Sequence, residues 1–240
     1  MKKSGIIFAL FLYVCAAFSL FYYIFLELDV YYLITLTERF FYVFLTCILI
    51  YGGSIVLVKN QSDNKIKIMK NTFRIFFGLY VVLLVTITLF DPLLRSGVTR
   101  IVFDSKAIIA YFKSTASLRP FWMMALYWNG LNRGLLSISE YLMNMVGNFI
   151  AMMPLALFLP MLSRTFKRPL PFVVTVTLII LTIESLQAIT MSGYFDVDDI
   201  ILNLSGALAM FYILRTPFIN EFILRLSFGS ISVTKEPVDD

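Results

Sequence analysis

Carboxylate and carboxamide side chains recur at helical spacing in the second half of this 240-residue chain. Asn144 and Asn148 are four residues apart, and Glu184 and Gln187 are three apart, so each pair lies on one face of a helix. Oxygen-rich side chains of these types can bind hydrogen-bond donors or hard cations, and a carboxylate among them can act as a general acid or base. The spacing predicts two polar helix faces, with Glu184 and Gln187 in one shared polar pocket with Asn148.

A third polar stripe begins just before the last hydrophobic segment. Asp196, Asp199, Asn203 and Gly206 follow one another at intervals of three, four and three residues, which places them on one helix face. Asp198 lies beside this stripe, so three aspartates fall within four positions. The stripe predicts a third polar helix face that meets the other two.

These residues form the candidate site, together with one basic side chain from the preceding segment. The candidate ligand-binding residues are Asn144, Asn148, Glu184, Gln187, Asp196, Asp198, Asp199, Asn203 and Arg119. Glu184 and Asp199 are the candidates for general acid–base catalysis. The three aspartates are the candidate ligands for a divalent cation such as Ca²⁺ or Mg²⁺, and no other cofactor is expected. In the competing interpretation the same groups only join the helices, through hydrogen bonds that contribute about 0.6 kcal/mol each.

The composition requires a lipid environment. Hydrophobic residues make up 60% of the chain and charged residues 15%, against about half and about a quarter in soluble domains. The chain has no histidine, which excludes Ser-His-Asp and Cys-His nucleophile systems and the usual histidine-containing zinc sites. No basic face interleaved with aromatic residues is present, so nucleic acid is not an expected partner. Cys15 and Cys47 lie within long apolar runs and are expected to be structural.

The fold predicted from this composition is all-α, a polytopic transmembrane bundle of about six helices. A helix needs roughly 20 mainly apolar residues to cross a bilayer. The stretches that meet this rule are 5–26, 40–58, 73–90, 141–162, 170–189 and 200–214. The long segment 91–140 is expected to fold as an interfacial or re-entrant element with a short amphipathic helix near 108–112.

The loops between the predicted spans differ in charge. Lys and Arg are concentrated before the first span and after the second, fourth and sixth spans, and cytoplasmic loops of membrane proteins carry such an excess. This predicts a multi-pass protein of the cell membrane with both termini in the cytoplasm. In that orientation the polar residues of the last three spans lie near the outer face of the bilayer.

The order of these motifs resembles that of the VanZ-like family of bacterial membrane proteins, over residues 86–214. The fragments that carry the resemblance are Arg119-Pro120-Phe121, Asn144-Met-Val-Gly-Asn148, Pro154-Leu155, Glu184-Ser-Leu-Gln187 and the run from Phe195 to Gly206. Gly193 stands where the family often has an arginine, so Arg119 or Arg133 is the expected partner of the aspartates. The predicted regions are an accessory transmembrane region at 1–80, a VanZ-like membrane domain at 81–216 and a cytoplasmic tail at 217–240, soluble after Ser227.

The resemblance implies a role in the cell envelope, with susceptibility to glycopeptide antibiotics such as teicoplanin as the phenotype. The expected partners are membrane lipids and a lipid-linked peptidoglycan precursor or the glycopeptide itself. The leading hypothesis is binding or remodelling of such a ligand without bond chemistry. Two alternatives stay open: an integral membrane enzyme that uses Glu184 or Asp199 as its acid–base group, and a small transporter with Glu184 as a proton relay.

Overall fold

The computed structural model of the protein describes residues 3–29, 31–60, 62–90, 105–190 and 193–234. Within these ranges the chain forms ten α-helices and no β-strand. Five helical stretches are long and apolar enough to cross a membrane, or six if a bent pair of helices near the C-terminus is counted as one span. The predicted all-α bundle with about six membrane-spanning helices is confirmed.

The chain divides into two compact units. The first comprises Met1–Ile87 and Glu221–Ser232, and its long helices are α1 (Lys3–Leu28), α2 (Leu36–Asn60) and α3 (Lys65–Val85). Helices suit these apolar runs, because a helix satisfies its backbone N–H and C=O groups internally where no water is present. The sequence predicts a boundary near residue 80, and the first unit extends a few residues beyond it.

Helices α1 and α2 pack closely because a small residue stands at their contact. A Cβ on Gly53 would lie 3.0 Å from the ring of Tyr13, so a larger residue there would push the helices apart. The Tyr13 hydroxyl is 3.0 Å from Ser54 Oγ, and Ser54 Oγ is 2.6 Å from Thr72 Oγ1 on α3. This hydroxyl chain joins the three helices and pairs their buried polar atoms.

Arg39 and Glu27 form a largely buried ion pair in the described part of the first unit. Arg39 is 1% exposed, and its Nε donates to Glu27 Oε1 at 2.6 Å. A second guanidinium nitrogen donates to the other oxygen of Glu27 at 3.2 Å. Two parallel charge-assisted hydrogen bonds of this type offset much of the cost of removing both charges from water.

The second unit comprises Thr88–Asn220 and Val233–Asp240. Its helices are α4 (Ser105–Thr115), α5 (Trp122–Asn132), α6 (Ile138–Ala151), α7 (Leu155–Leu162), α8 (Pro169–Ile189) and α9 (Val197–Ile213). The amphipathic helix predicted near 108–112 is present as α4, whereas 91–104 lie outside the described residues. The predicted fourth span is present as α6 and α7, which are separated at Met152–Pro154 because proline lacks the N–H that an unbroken helix requires.

The chain continues as a helix beyond the last span predicted from the sequence. It forms α10 (Pro217–Leu226), which follows α9 after a bend of 84°. Beyond α10, Ser227 is fully buried, Ile231 is 1% exposed and Val233 is 0% exposed. The described residues after Ser227 are therefore packed rather than frayed, and the cytoplasmic tail at 217–240 stays a prediction.

Candidate functional site

Helix α6 carries the first of the three predicted polar faces. The helix begins with a capping box at Ser137, which fixes its start and hence the direction of each later side chain. Asn144 Nδ2 donates to the hydroxyl of Tyr127 at 3.1 Å. One turn further on, Asn148 Nδ2 donates to Asp199 Oδ1 on α9. The two amides share a face, but they contact different helices.

Helix α8 carries the second face near its C-terminal end. Glu184 is 4% exposed, and its Oε2 accepts a hydrogen bond from the backbone N–H of Asp196 at 3.3 Å. Gln187 Nε2 donates to the backbone carbonyl of Thr88 at 3.0 Å. Both side chains therefore point into the unit and away from the lipid-facing side of α8.

A short backbone bridge fixes the start of α9. The N–H of Ser117 donates to the carbonyl of Phe195 at 2.9 Å, and the N–H of Val197 donates to the carbonyl of Ser117 at 3.0 Å. Asp196 is the N-cap of α9, and its side chain accepts from the N–H of Asp198 at 2.9 Å. Burial raises the pKa of Asp196 above its ordinary value, and the hydrogen bond from the Asp198 N–H opposes that rise.

Asp198 holds the start of α5 and takes no part in the polar stripe. Its side chain is 1% exposed. It accepts hydrogen bonds from the backbone N–H of Phe121 and, at 3.0 Å, from that of Met124. A carboxylate on the first N–H groups of a helix satisfies donors that have no partner within the helix and interacts favourably with the helix dipole. Phe121 has a left-handed φ of 63°, and the hydrogen bond from its N–H to Asp198 helps to maintain this conformation.

The polar faces of α6, α8 and α9 meet at one cavity of about 50 Å³, enough for one or two water molecules or a small ion. Five polar side chains line it: Asn148, Glu184, Gln187, Asp199 and Asn203. The remaining lining residues are Thr88, Ala151, Met152, Ile180 and Ile183. Gly206 brings α9 and α6 together, because a Cβ at this position would collide with the carbonyl oxygen of Phe149. We refer to this space as the α6–α8–α9 cavity.

The shared polar pocket predicted from the sequence is present for these five side chains. Asn144 is not in the lining, because it is one turn away on α6 and bonds to Tyr127. Arg119, the expected counter-ion, has its guanidinium carbon 5.8 Å from the ring centroid of Trp122. Arg133, the other expected counter-ion, is exposed. Neither arginine forms an ion pair with the aspartates within the described residues.

The structure does not gather Asp196, Asp198 and Asp199 into the predicted cation site. Within the described residues, no group of three His, Cys, Asp or Glu side chains is arranged to hold a metal ion. The reason is their position at a helix start, where successive side chains point in different directions. Asp196 caps α9, Asp198 holds α5, and only Asp199 lines the cavity.

Two hydrogen-bonding partners of the candidate residues were not predicted from the sequence. Thr88 contributes its backbone carbonyl to Gln187, and a backbone atom within an apolar run gives no signal in the sequence. Tyr127 contacts Asn144, and burial, followed by the charge of Asp199, raises its pKa. Tyr127 could not be predicted because it lies in the long segment between the third and fourth spans, and no spacing rule links that segment to α6.

The residues of this site fall within a region that matches a known family. The family model described as VanZ/LLP1 matches residues 76–220, which is more than half of the chain. The chain belongs to the VanZ/LLP1 family. The match extends slightly beyond the predicted domain at 81–216 and includes every residue that lines the cavity. No curated protein and no solved structure matches the chain at a significant level.

Proposed function

We propose that this VanZ/LLP1 protein acts in the bacterial cell envelope and lowers susceptibility to glycopeptide antibiotics such as teicoplanin. In this proposal it binds or remodels an envelope ligand, such as a lipid-linked peptidoglycan precursor, through the α6–α8–α9 cavity. The membership of the family supports the envelope role. The single observation that carries the site is the convergence of two carboxylates and three amides on one cavity.

The cavity is small compared with any such ligand. At about 50 Å³ it admits one polar group and excludes a whole peptide stem or a glycopeptide. The rest of the ligand would therefore lie outside the cavity, along the helices that surround it. Ionisable residues within membrane helices are costly and usually mark functional positions, and this supports a role for Glu184 and Asp199 beyond helix packing.

The proposed location is the cell membrane, with both termini in the cytoplasm and the cavity near the outer face. The charge difference between the loops supports this orientation. The test uses a variant in which Cys15 and Cys47 are replaced, with a single cysteine introduced at Lys65 or at Leu135. We expect an impermeant thiol reagent to label the second position in intact cells and the first only after permeabilisation. Equal labelling of both positions in intact cells would contradict the assignment, and labelling of the Lys65 position alone would reverse it.

The functional test pairs susceptibility with stability. Glu184→Gln and Asp199→Asn keep the side-chain shape and remove the charge, and each retains an oxygen that can accept the existing hydrogen bond. We expect strains that express either variant at normal abundance to lose teicoplanin protection. The matched control is Glu221→Gln, since Glu221 on α10 is 63% exposed and paired with Arg225. Full protection by both cavity variants, or a loss that follows the amount of folded protein, would contradict the proposal.

A second candidate function is an integral membrane enzyme acting on a lipid-linked substrate. The specific observation in its favour is that Glu184 and Asp199 line the same cavity, as two carboxylates do in many acid–base mechanisms. Its test is incubation of the purified protein with a lipid-linked peptidoglycan precursor, followed by mass analysis of the lipid. A mass change that depends on Glu184 and Asp199 would favour the enzyme over the binding protein.

A further inference from the structure

Each amide group of the α6–α8–α9 cavity donates a hydrogen bond from its NH₂ group to an oxygen of the protein. Asn148 Nδ2 donates to Asp199 Oδ1, and Asn203 Nδ2 donates to the backbone carbonyl of Asp199 at 2.8 Å. Gln187 Nε2 donates to the carbonyl of Thr88 at 3.0 Å. Because each of these partners is an acceptor, it fixes the NH₂ end of the amide and leaves the amide oxygen for other contacts. The polar lining is therefore rich in acceptors.

One of these oxygens is buried without a partner. Asn203 is 5% exposed, and its Oδ1 has no hydrogen-bond partner among the described residues. Asn203 lines the cavity. A buried carbonyl oxygen without a partner costs about 1–3 kcal/mol, so a partner that enters the cavity would recover that free energy. This observation is independent of the carboxylates, and it indicates a ligand that attracts oxygen atoms.

The two carboxylates of the cavity have no cationic partner in the described part of the chain. No lysine or arginine there forms a salt bridge with Glu184 or Asp199. Glu184 accepts from the N–H of Asp196, and Asp199 accepts from the Asn148 amide, so both are bonded only to uncharged donors. A cavity with acceptor oxygens from five side chains and no positive charge favours a cation over a neutral ligand.

We propose that the α6–α8–α9 cavity binds one divalent cation of the Ca²⁺ or Mg²⁺ class. These hard cations take carboxylate oxygens, amide carbonyl oxygens and water as ligands. The carboxylates of Glu184 and Asp199 would bind the ion and balance its charge. The amide oxygens of Asn203, Asn148 and Gln187 would supply further ligands. The cavity volume of about 50 Å³ suits one ion with a water or two.

The site differs from the aspartate triplet predicted from the sequence. Only Asp199 is common to both sets, and amide oxygens from α6, α8 and α9 replace the other two aspartates. For its biological role the cation site rests on the proposed function. A bound cation has coordination positions that protein oxygens leave to water, and a phosphate or carboxylate oxygen of an envelope ligand can take such a position.

The test measures cation binding to the purified full-length protein in detergent. The protein is treated with a chelator, dialysed, and titrated with CaCl₂ or MgCl₂ at constant ionic strength while heat of binding and melting temperature are followed. We expect saturable binding of one ion per chain and a rise in melting temperature with at least one of the two cations. NaCl at matched ionic strength is the control for screening.

The variants connect the binding to the cavity. We expect Asp199→Asn and Glu184→Gln to weaken the apparent affinity by at least about 10- to 100-fold, the range for groups that only support a metal ligand, and Glu221→Gln to bind as the original chain does. Absence of saturable binding by the original chain, or equal affinity in the cavity variants, would overturn the inference. A melting temperature that responds to pH but to neither cation would also overturn it, since the cavity would then take a proton or water.

The outcomes separate this inference from the proposed function. Weakened cation binding with full teicoplanin protection in the same variants would leave the cation site standing and remove the glycopeptide role. Loss of protection with no cation binding in the original chain would leave the glycopeptide role standing and remove the cation site. The two measurements use the same three variants, so expression and folding are controlled in both.

Discussion

The two units bury charged side chains in opposite ways. The first unit pairs Arg39 with Glu27, whereas the second unit places the carboxylates of Glu184 and Asp199 at one cavity. In the first unit each charge contacts its opposite through two hydrogen bonds, at 2.6 Å and 3.2 Å. In the second unit two carboxylates line one cavity, and no cation pairs with them among the described residues. The first arrangement is complete in itself, and the second is not.

The difference separates groups that join helices through complete pairing from groups whose hydrogen-bonding capacity is only partly used among the described residues. Hydrogen bonds between membrane helices contribute about 0.6 kcal/mol each on average, which is enough to position helices when every donor and acceptor is paired. The hydroxyl chain of Tyr13, Ser54 and Thr72 has this character. The α6–α8–α9 cavity does not, because Asn203 Oδ1 is buried there without a partner in the described chain. Pairing, more than polarity, distinguishes the two regions.

The largest effect is expected from breaking the paired charges. Arg39→Met leaves the Glu27 carboxylate, which is 16% exposed, without its partner, and we expect a loss of up to about 3–5 kcal/mol in the free energy of unfolding. Thermal or denaturant unfolding in detergent measures it. The double variant Arg39→Met with Glu27→Gln should recover part of the loss, because no uncompensated charge remains. A single variant as stable as the original chain would show that the pair does not hold the first unit together.

A smaller loss is expected when Asp198 loses its charge. Asp198→Asn weakens the acceptor for the N–H groups of Phe121 and Met124, and hydrogen bonds to charged groups contribute about 1.5–3 kcal/mol. We expect a loss of that size in the free energy of unfolding. The matched control is Asp199→Asn, the same substitution one residue further along. Equal melting temperatures for the two variants would mean that Asp198 and Asp199 do not differ in the way the contacts indicate.

The smallest effect on stability is expected at the cavity. In the presence of a chelator, Asp199→Asn and Glu184→Gln should show no loss in melting temperature, and a small gain is consistent with relief of repulsion between like charges. Each new amide keeps an oxygen for the hydrogen bond that the carboxylate accepted. The measurement is a melting curve with and without chelator. A clear loss with chelator present would place Glu184 and Asp199 with the paired groups of the first unit.

Helix content and the polar pocket follow from local patterns in the sequence. Apolar runs of about 20 residues predict the spans because lipid leaves a helix as the simplest way to satisfy the backbone. Steps of three and four residues predict which side chains share a face, and Asn148, Glu184, Gln187, Asp199 and Asn203 do share one cavity. The break between α6 and α7 could also be anticipated from Pro154, since proline lacks the N–H that continues a helix.

Other features could not be predicted, because they depend on contacts between distant parts of the chain. The burial of Ile231 and Val233 depends on what packs around them, and a short apolar stretch gives no measure of that. The approach of α6 to α9 depends on Phe149 facing Gly206. The sequence shows a glycine at that position without showing which backbone it meets.

The sequence by itself determined that this protein is a helical membrane protein with oxygen-rich helix faces on its last three spans, since hydrophobic length and helical period are local properties of the chain. Only the tertiary structure decided what Asp198, the neighbour of Asp199, contacts. Asp198 and Asp199 have the same chemistry and nearly the same place in the sequence. They differ because successive side chains on a helix diverge by about 100°, which directs one to the N–H groups of α5 and the other to the cavity.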